Sequence, residues 1–410
     1  MEEIIERIKS AGGCIYLVGG AVRDELMGRM VHDRDYCVVG IGFEKFVSLF
    51  PEAFGRGKDF PVFDMCGSEF SLARIERKIG VGHKGFVVEA NESVSIEQDL
   101  ERRDITINSI AKNLITGELV DPFGGVKDIE NKVIRATSSA FVEDPLRVYR
   151  VARFSAQLGF DVEDGTLNLM NKLKTELSSL SKERVFDEFR KALKTGRPSI
   201  FFEVLKKADI LDIHFKEIFD LIGVEQPVKY HPEGDAYNHT MEVIDRACKE
   251  TKNIEIRFSA LVHDLGKGVT PKELYPHHHG HDVAGVKVVG DFCNRIGVPN
   301  SWKKCGKTSA KEHMIGGYFW QMTPPKQVDF LNRVNKSMLG LEGLQIVVNA
   351  DKAKNADKHL FSSLKQPILE DINGEYIKSK YGITEGIKVK ELLRQERIRK
   401  MRVLKLEIET

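Results

Sequence analysis

No apolar run reaches about 18 residues, the length a membrane-spanning helix needs. No opening segment joins a basic flank to an apolar core of roughly 7–15 residues, the pattern of an export signal. Membrane insertion and export are therefore not expected, and the cytoplasm is the expected location. Cysteine is sparse: Cys14, Cys37, Cys66, Cys248, Cys293 and Cys305 are scattered without close pairs. No thiolate zinc cluster is visible in that spacing, which fits reduced thiols in a cytoplasmic protein. Net charge is nearly absent as well, +1 from 62 basic and 61 acidic residues, so any surface for a polyanion must be a local patch. What is present is a globular composition, 41% apolar and 30% charged, in 410 residues. A chain of that length calls for about two to four domains.

The stretch from Tyr16 to Gly40, YLVGGAVRDELMGRMVHDRDYCVVG, organises the rest. An apolar run ends in Gly19-Gly20, a polar helix-like segment follows, and Asp33 and Asp35 open a second apolar run. Adjacent glycines allow the backbone to approach a phosphate closely. Asp33 and Asp35 are two apart, so on an extended backbone their carboxylates leave one face. Such a pair is costly without cations, and a paired Mg²⁺ site uses that repulsion. The combination suggests nucleotidyl transfer. Each half also has a plain alternative, Gly-Gly as an ordinary turn and Asp-x-Asp as a solvated loop or cap.

Residues 1–140 alternate short apolar runs, turns and helix-like segments, so a mixed α/β domain is expected. A helix is expected over Phe43 to Phe50, a strand over Phe60 to Cys66, and another after Gly67. Glu69 is placed as a third carboxylate on a strand beside the first pair, or else as a surface acid. RIERKIGVGHKGF, with Arg74, Arg77, Lys78, His83 and Lys84, is expected to be a basic loop, solvated or clamping phosphate. In DLERRDITINSIA, Arg102 and Arg103 are expected to precede a helix carrying Asp104 and, one turn on, Asn108. Arginine offers a fork of donors for triphosphate oxygens, and Asn108 suits a ribose hydroxyl or a phosphate. A surface helix with a charged first turn is the alternative. Asp121, in LVDPFGG, reads as structural.

Phe141 to Phe160 is periodic at helical spacing, with Glu143 and Asp144 before Pro145 at its start. Asp144 and Arg147, three apart, are expected to share a helix face, either as a salt bridge or as a hydrogen-bonding template for a planar base. Asp144 accepts from an exocyclic amine and Arg147 donates to a ring acceptor, which matches cytosine and adenine and mismatches uracil and guanine. A second helix, Glu183 to Leu193, carries Arg184, Asp187, Glu188 and Arg190 as surface and interhelical charges.

Histidines concentrate after a polar hinge at Pro227 to Asp235. His239 lies in one helical run, and His263-Asp264 ends another. His277, His278, His279, His281 and His313 follow, and then Asp351. Imidazole and carboxylate both ligate a borderline divalent ion, so His239, His263, Asp264 and Asp351 form a candidate four-ligand set with room for a water. His279, His281 and His313 are candidates for a second ion or for substrate phosphate. Lys267 is a candidate phosphate contact or a helix-end cation. The alternative for any one of these histidines is a hydrogen-bonded core residue. The last segment, Ile387 to Leu406, with Lys390, Arg394, Arg397, Arg399, Lys400 and Arg402, reads as an amphipathic helix whose basic face is either solvated or held against an RNA backbone.

The chain resembles the long-form bacterial CCA-adding enzymes, tRNA nucleotidyltransferases with a C-terminal HD phosphohydrolase domain. The stretches LVGGAVRD, HDRDYCVVG, LARIERKIGVGHKGF, DLERRDITINSIA, DPFGG, EDPLRVYRVARFSAQLGF, ERVFDEFRKAL, HPEGDAYNHTMEVID, LVHDLGKG, HHHGHDVAG and NADKAKNAD carry the resemblance. It implies an α/β nucleotidyltransferase head of the polymerase-beta-like class, an all-α neck and body, and an α-helical HD domain. The expected boundaries are 1–140 for the catalytic head, 141–225 for the nucleotide-recognition neck, 226–360 for the HD domain and 361–410 for a helical tRNA-binding tail.

The implied activity is template-independent addition of C, C and A to the tRNA 3′ end from CTP and ATP. The resemblance makes Asp33 and Asp35 the Mg²⁺-binding pair, Gly19 and Gly20 the triphosphate turn, and Arg103, Asp104 and Asn108 the ribose and phosphate element. Asp144 and Arg147 become the selecting pair, and Arg23 and Arg150 are placed with the nucleotide-binding residues. His239, His263, Asp264 and Asp351 become HD ligands, for Ni²⁺ or another divalent transition metal. That domain looks like a 2′,3′-cyclic phosphodiesterase, 2′-nucleotidase and phosphatase. The implied partner is tRNA, through its acceptor stem and 3′ end, and the chain is expected to be a monomer or homodimer. Two stretches depart from the family: Ser68 to Ile75 reads SEFSLARI where EEYALART is usual, and FDMC precedes it. The competing readings are a poly(A) polymerase or a partial CC- or A-adding enzyme, a non-catalytic RNA-binding protein, and a second-messenger hydrolase that would leave residues 1–150 unexplained.

Overall fold

The computed structural model describes residues 1–56, 62–78, 86–229, 231–352 and 359–409. His83 and Lys84 of the basic stretch, Phe60 of the expected strand and the part of NADKAKNAD beyond Lys352 lie outside the described residues. The chain forms two compact units, one of Met1–Glu188 with Ile200–Ile213, the other of Phe189–Ser199 with His214–Thr410.

The first unit is built on a mixed sheet. The unit's strands include β1 (Cys14–Val18), β2 (Asp35–Val39), β3 (Phe54–Arg56), β4 (Val62–Met65), β5 (Ser68–Leu72), β6 (Ile75–Lys78), β7 (Phe86–Glu89), β8 (Ala111–Asn113) and β9 (Leu119–Val120). Seven of them pair in the order β3-β4-β5-β2-β1-β8-β9. β2 and β5 run parallel, and β2 runs antiparallel to β1. Alternation along β2 sends Tyr36 and Val38 into a cluster with Ile15, Leu17, Phe46, Phe63 and Phe70, and Cys37 to the opposite face with Val18, Ile96, Leu100 and Ala111. Both faces of the strand are covered, which fixes its register and hence the place of Asp35 at its first position.

Three local expectations change. The basic stretch is not a loop at its ends: β6 and β7 pair antiparallel, with Lys78 opposite Phe86. The glycines of its middle hid the β-forming run Phe86-Val87-Val88 that follows. Arg102 and Arg103 end a helix, Ile96–Glu101, instead of preceding one. That helix opens with a reciprocal Ser95–Gln98 capping box, and the segment after it, with the weaker helix formers Ile105, Thr106 and Ile107, makes a 3-10 turn, Thr106–Asn108. Asp144 stands outside the next helix, Arg147–Leu158, in the extended conformation that a following proline favours, so it does not share a helix face with Arg147.

The second unit is all-helical among its described residues. Its helices include Ala236–Glu250, Ile254–Val262, His281–Ile296, Asn300–Gly317, Pro324–Asn335, Gly340–Asp351 and Gly386–Glu409. Asp235 caps the first, accepting from Asn238 N at 2.9 Å. After His263-Asp264 the chain turns tightly at Gly266, where a Cβ would stand 2.0 Å from the His281 carbonyl oxygen. Only glycine lets that turn lie directly on the His281–Ile296 helix. The C-terminal segment is packed, not a loose tail: Ile368, Leu369 and Met401 are buried in one cluster with Phe319, Leu331 and Leu344. No helix among the described residues is long and apolar enough to cross a membrane. An α/β head followed by a helical remainder is the architecture that the sequence implied.

Candidate functional sites

In the first unit, parallel pairing sets Asp35 of β2 opposite Glu69 of β5, and antiparallel pairing sets it opposite Val18 of β1. Val18 runs into Gly19-Gly20, so the glycine turn begins beside Asp35. Gly19 has φ 69° and ψ −135°, and a Cβ there would lie 3.2 Å from Arg103 Nη1. Asp33 is exposed, just ahead of the strand. The Asp35 carboxyl is pushed above the usual range, first by the protein surrounding it, then by Glu69 and Asp33, while Arg103 pulls it down. A cation would relieve that crowding, and an all-carboxylate donor set suits a hard ion such as Mg²⁺.

Behind this edge lies Asp99, which no pattern in the sequence had marked. It is fully buried and accepts from Arg102 at 2.6 Å and from Arg103 at 3.0 Å. Burial opposes its charge, but the two arginines prevail and hold its carboxyl at about 2. Its spacing in DLERRD, three and four residues before the arginines, was the available sign.

Asp104, Asn108 and Arg23, all buried, and the half-buried Arg150 form one chain of bonds. Asp104 accepts from Arg150 Nη2 at 2.7 Å and from Asn108 Nδ2 at 3.3 Å, and Asn108 Oδ1 accepts from Arg23 Nη1 at 2.7 Å. Burial disfavours the Asp104 charge, and Arg150 outweighs it, so the carboxyl lies below its ordinary range. Arg23 and Arg150 each stand 5.5 Å from the Phe154 ring centre. Asp144 is engaged by Arg184 at 3.2 Å and also accepts from Leu146 N at 3.0 Å. Arg147 donates to the carbonyls of Ala140 and Arg102.

The second unit holds the densest cluster. Ligand atoms of His239, His263, Asp264 and Asp351 all lie within 4.8 Å of one another, as do those of Asp264, His281 and His313. His239 Nε2 is 2.8 Å from Asp351 Oδ1, and His263 Nε2 is 3.2 Å from Asp264 Oδ2. The other oxygen, Asp264 Oδ1, is 3.2 Å from His281 Nε2 and 3.3 Å from His313 Nε2. Asp264 thus divides the cluster, one oxygen toward each pair of rings. Lys267 Nζ reaches Asp264 Oδ2 at 2.6 Å and donates to Gln226 Oε1 at 2.7 Å.

The rings are fixed from behind. His263 Nδ1 meets Ala260 O at 2.8 Å, His281 Nδ1 meets His278 O at 2.7 Å, and His313 Nδ1 meets Ala310 O at 3.0 Å. A carbonyl only accepts, so each Nδ1 carries a proton and each Nε2 faces inward. Against this order, His263 Nε2 and both Asp264 oxygens are buried without a properly directed hydrogen bond. Burial lowers the proton affinity of His263, yet Asp264 and Asp351 overcome it and drive the ring to about 10. The two carboxylates favour a positive charge on the facing imidazoles, a place that a metal cation can take, and the mixed imidazole and carboxylate donors fit a borderline transition metal.

His279 does not join the cluster. It is exposed beside His277, with ring centres 6.0 Å apart. The turn before Gly280 instead sends His278 inward, where Nε2 meets Glu225 O at 2.8 Å.

Family models match three stretches: "Poly A polymerase head domain" over residues 15–135, "Probable RNA and SrmB- binding site of polymerase A" over 159–222, and "HD domain" over 236–358. A "Multifunctional CCA protein" of Shewanella denitrificans is 49% identical over 306 residues, 73% of each chain. A protein of the same name from Mannheimia succiniciproducens is 42% identical over 350 residues, 82% of this chain and 83% of its own. Among solved structures, a CCA-adding enzyme with CTP has a TM-score of 0.65 at 22% identity, covering 96% of this chain and 88% of that one. A CCA-adding enzyme with ATP has a TM-score of 0.67 at 20% identity, covering 97% and 88%. At those identities the structures speak for the fold. The two long alignments carry the assignment, and by them the chain belongs to the family of multifunctional CCA proteins.

Proposed function

We propose that the first unit adds C, C and A to the 3′ end of tRNA from CTP and ATP, and that the second hydrolyses phosphoesters. The observation that carries this reading is the presence of two centres of different chemistry in two separate units. One is a carboxylate edge beside a glycine turn, and the other is a buried histidine-aspartate cluster.

Asp33, Asp35 and Glu69 would hold Mg²⁺, and His239, His263, Asp264 and Asp351 would hold Ni²⁺ or another divalent transition metal. When bound, these ions supply charge neutralisation at the phosphates and an activated hydroxyl or water. Asp264 Oδ1, His281 and His313 offer a second cation position or a seat for substrate phosphate. At the head, the Gly19-Gly20 turn leaves room for the triphosphate, and Arg103 offers its guanidinium to the same oxygens. Asn108 and Asp104 position the ribose within the network that ends in Arg23 and Arg150. Asp144 accepts from the exocyclic amine of cytosine or adenine while Arg147 donates to the adjacent ring acceptor. In the second unit, Lys267, whose ammonium lies against Asp264 and Gln226, would offer a charge to a substrate phosphate oxygen.

The test is a pair of lesions in the full chain. Asp33→Ala should abolish nucleotide incorporation and spare phosphoester hydrolysis, and His263→Ala should do the reverse. One lesion removing both activities from a folded protein would sink the two-centre reading. Incubating tRNA lacking its 3′ end with CTP alone, ATP alone and both separates full CCA addition from poly(A) synthesis or partial addition.

A further inference from the structure

We infer that Glu233 is a positioning residue for the histidine-aspartate centre, fixing His239 so that its Nε2 faces the cation position. The inference rests on reading that centre as a metal site.

His239 Nδ1 lies 2.5 Å from Glu233 Oε1. An ionised carboxylate only accepts, so the proton sits on Nδ1 and the Nε2 lone pair faces Asp351 and Asp264. The other three inward rings take this bond from a backbone carbonyl three or four residues earlier. His239 lies in the first turn of its helix, where its local carbonyls are already engaged. Asp235 O accepts from the His239 amide at 3.1 Å, and Ala236 O accepts from the Thr240 hydroxyl at 2.8 Å. Glu233 supplies the acceptor that the helix does not.

Glu233 is itself held in place. His231 Nδ1 approaches the same Oε1 at 3.1 Å, which leaves the carboxylate little freedom to swing away. The same stretch of chain offers Glu225 O to His278 and Gln226 Oε1 to Lys267. Glu225, Gln226 and Glu233 therefore orient three groups around Asp264, and Glu233 is the one that acts on a ligand ring directly.

The experiment titrates Ni²⁺ into metal-free full-length protein by calorimetry and records the visible spectrum of the Co²⁺ form. Wild type, Glu233→Ala, Glu233→Gln and His263→Ala are compared. Glu233→Ala should bind Ni²⁺ about ten- to a hundredfold more weakly than wild type. Glu233→Gln keeps an acceptor oxygen, so it should recover most of the affinity while shifting the Co²⁺ bands, because His239 loses a charged partner. Nucleotide incorporation should be unchanged in both. Wild-type Ni²⁺ affinity in Glu233→Ala, or an unshifted Co²⁺ spectrum in Glu233→Gln, would overturn the inference. If Glu233→Ala does not fold, the Gln variant still decides, since a loss as complete as that of His263→Ala would also overturn it. Failure of wild type to bind either ion would instead remove the metal reading itself.

Discussion

Asp35 and Glu69 are direct neighbours across the parallel strands β2 and β5, so a third carboxylate flanks the Asp33–Asp35 pair. If the three share a cation, Glu69→Gln should raise the Mg²⁺ concentration for half-maximal nucleotide incorporation by about tenfold, the equivalent of ~1.4 kcal/mol. Phosphoester hydrolysis should not change. An unaltered Mg²⁺ dependence would make Glu69 an ordinary surface acid at a strand end.

Asp99 should matter to the head although it touches no substrate. It holds Arg102 and Arg103, and Arg103 in turn stands over Gly19. Asp99→Asn keeps the shape and loses the charge that orders the arginines. The KM for CTP and ATP should rise severalfold or more, with phosphoester hydrolysis spared. Stability carries a second signature. The folded carboxyl is held at about 2, below its ordinary 3.8, so the stabilisation is present above pH 3.8 and is lost as pH falls through about 2. That difference is worth about 2 kcal/mol. Unfolding free energies measured between pH 5 and pH 2 should fall more steeply for wild type than for Asp99→Asn.

How much of this was legible depended on whether a residue's setting is local. The edge at Asp35 could be read because Tyr36 and Val38 alternate with Cys37 at a period of two, and the pairing that follows is short and regular. His263-Asp264 could be placed at a helix end because the apolar run stops there and Gly266 follows. Asp99 escaped because in sequence it is one acid among several, and only burial against two arginines distinguishes it. His278 and His279 differ by one step of a turn whose phase no periodicity sets, so the exposed one was favoured. Glu233 also escaped, and Arg184 was read as a surface or interhelical charge without its partner Asp144, since nothing in the spacing joins residues on different elements.

Asp144 and Arg147 are engaged within the protein, Asp144 by Arg184 and Arg147 by two carbonyls, so if they select the base, an incoming nucleotide must exchange one set of bonds for another. Asp144→Ala should lower kcat/KM for CTP and ATP about 10- to 100-fold, the range expected when one or two charge-assisted hydrogen bonds are removed. Discrimination against UTP and GTP should shrink with it. Arg184→Ala frees Asp144 without removing it, so its effect on CTP and ATP should be smaller than that of Asp144→Ala. Single-nucleotide incorporation assays with all four triphosphates measure both variants. Unchanged selectivity in Asp144→Ala would place base selection elsewhere.

Arg246 straddles Asp351 of the histidine-aspartate centre. Its Nη1 donates to Ala350 O at 2.8 Å and to Lys352 O at 2.6 Å, the carbonyls on either side of Asp351, and its Nη2 bonds Glu242 at 2.6 Å. The helix that carries His239 thus also pins the end of the helix that carries Asp351. Arg246→Ala should weaken Ni²⁺ binding by about tenfold. Arg246→Lys, with one donor centre in place of a fork, should fall between it and wild type. Calorimetric titration measures this directly, and equal affinities in all three proteins would show that Asp351 needs no such clamp.

The basic face of the last helix divides into two classes that should fail differently. Arg397 donates to Ile372 O at 2.9 Å, Leu369 O at 2.7 Å and Asn332 Oδ1 at 2.5 Å, and Arg394 pairs with Asp329 at 2.8 Å. These arginines fasten the helix to its own unit. Lys390, Lys400 and Arg402 are exposed on the same helix. Arg397→Ala should therefore lower the melting temperature, at a cost of about 2 kcal/mol for bonds from a charged donor to buried carbonyls. Its tRNA affinity should hold at temperatures where the chain stays folded. Lys400→Glu with Arg402→Glu should leave the melt unchanged and weaken tRNA binding. For each RNA phosphate that the variant no longer neutralises, the slope of log affinity against log salt should flatten by roughly 0.7–0.9. If the double charge reversal changes neither tRNA affinity nor its salt slope, this face is solvated, and the helix serves only to close the core around Met401.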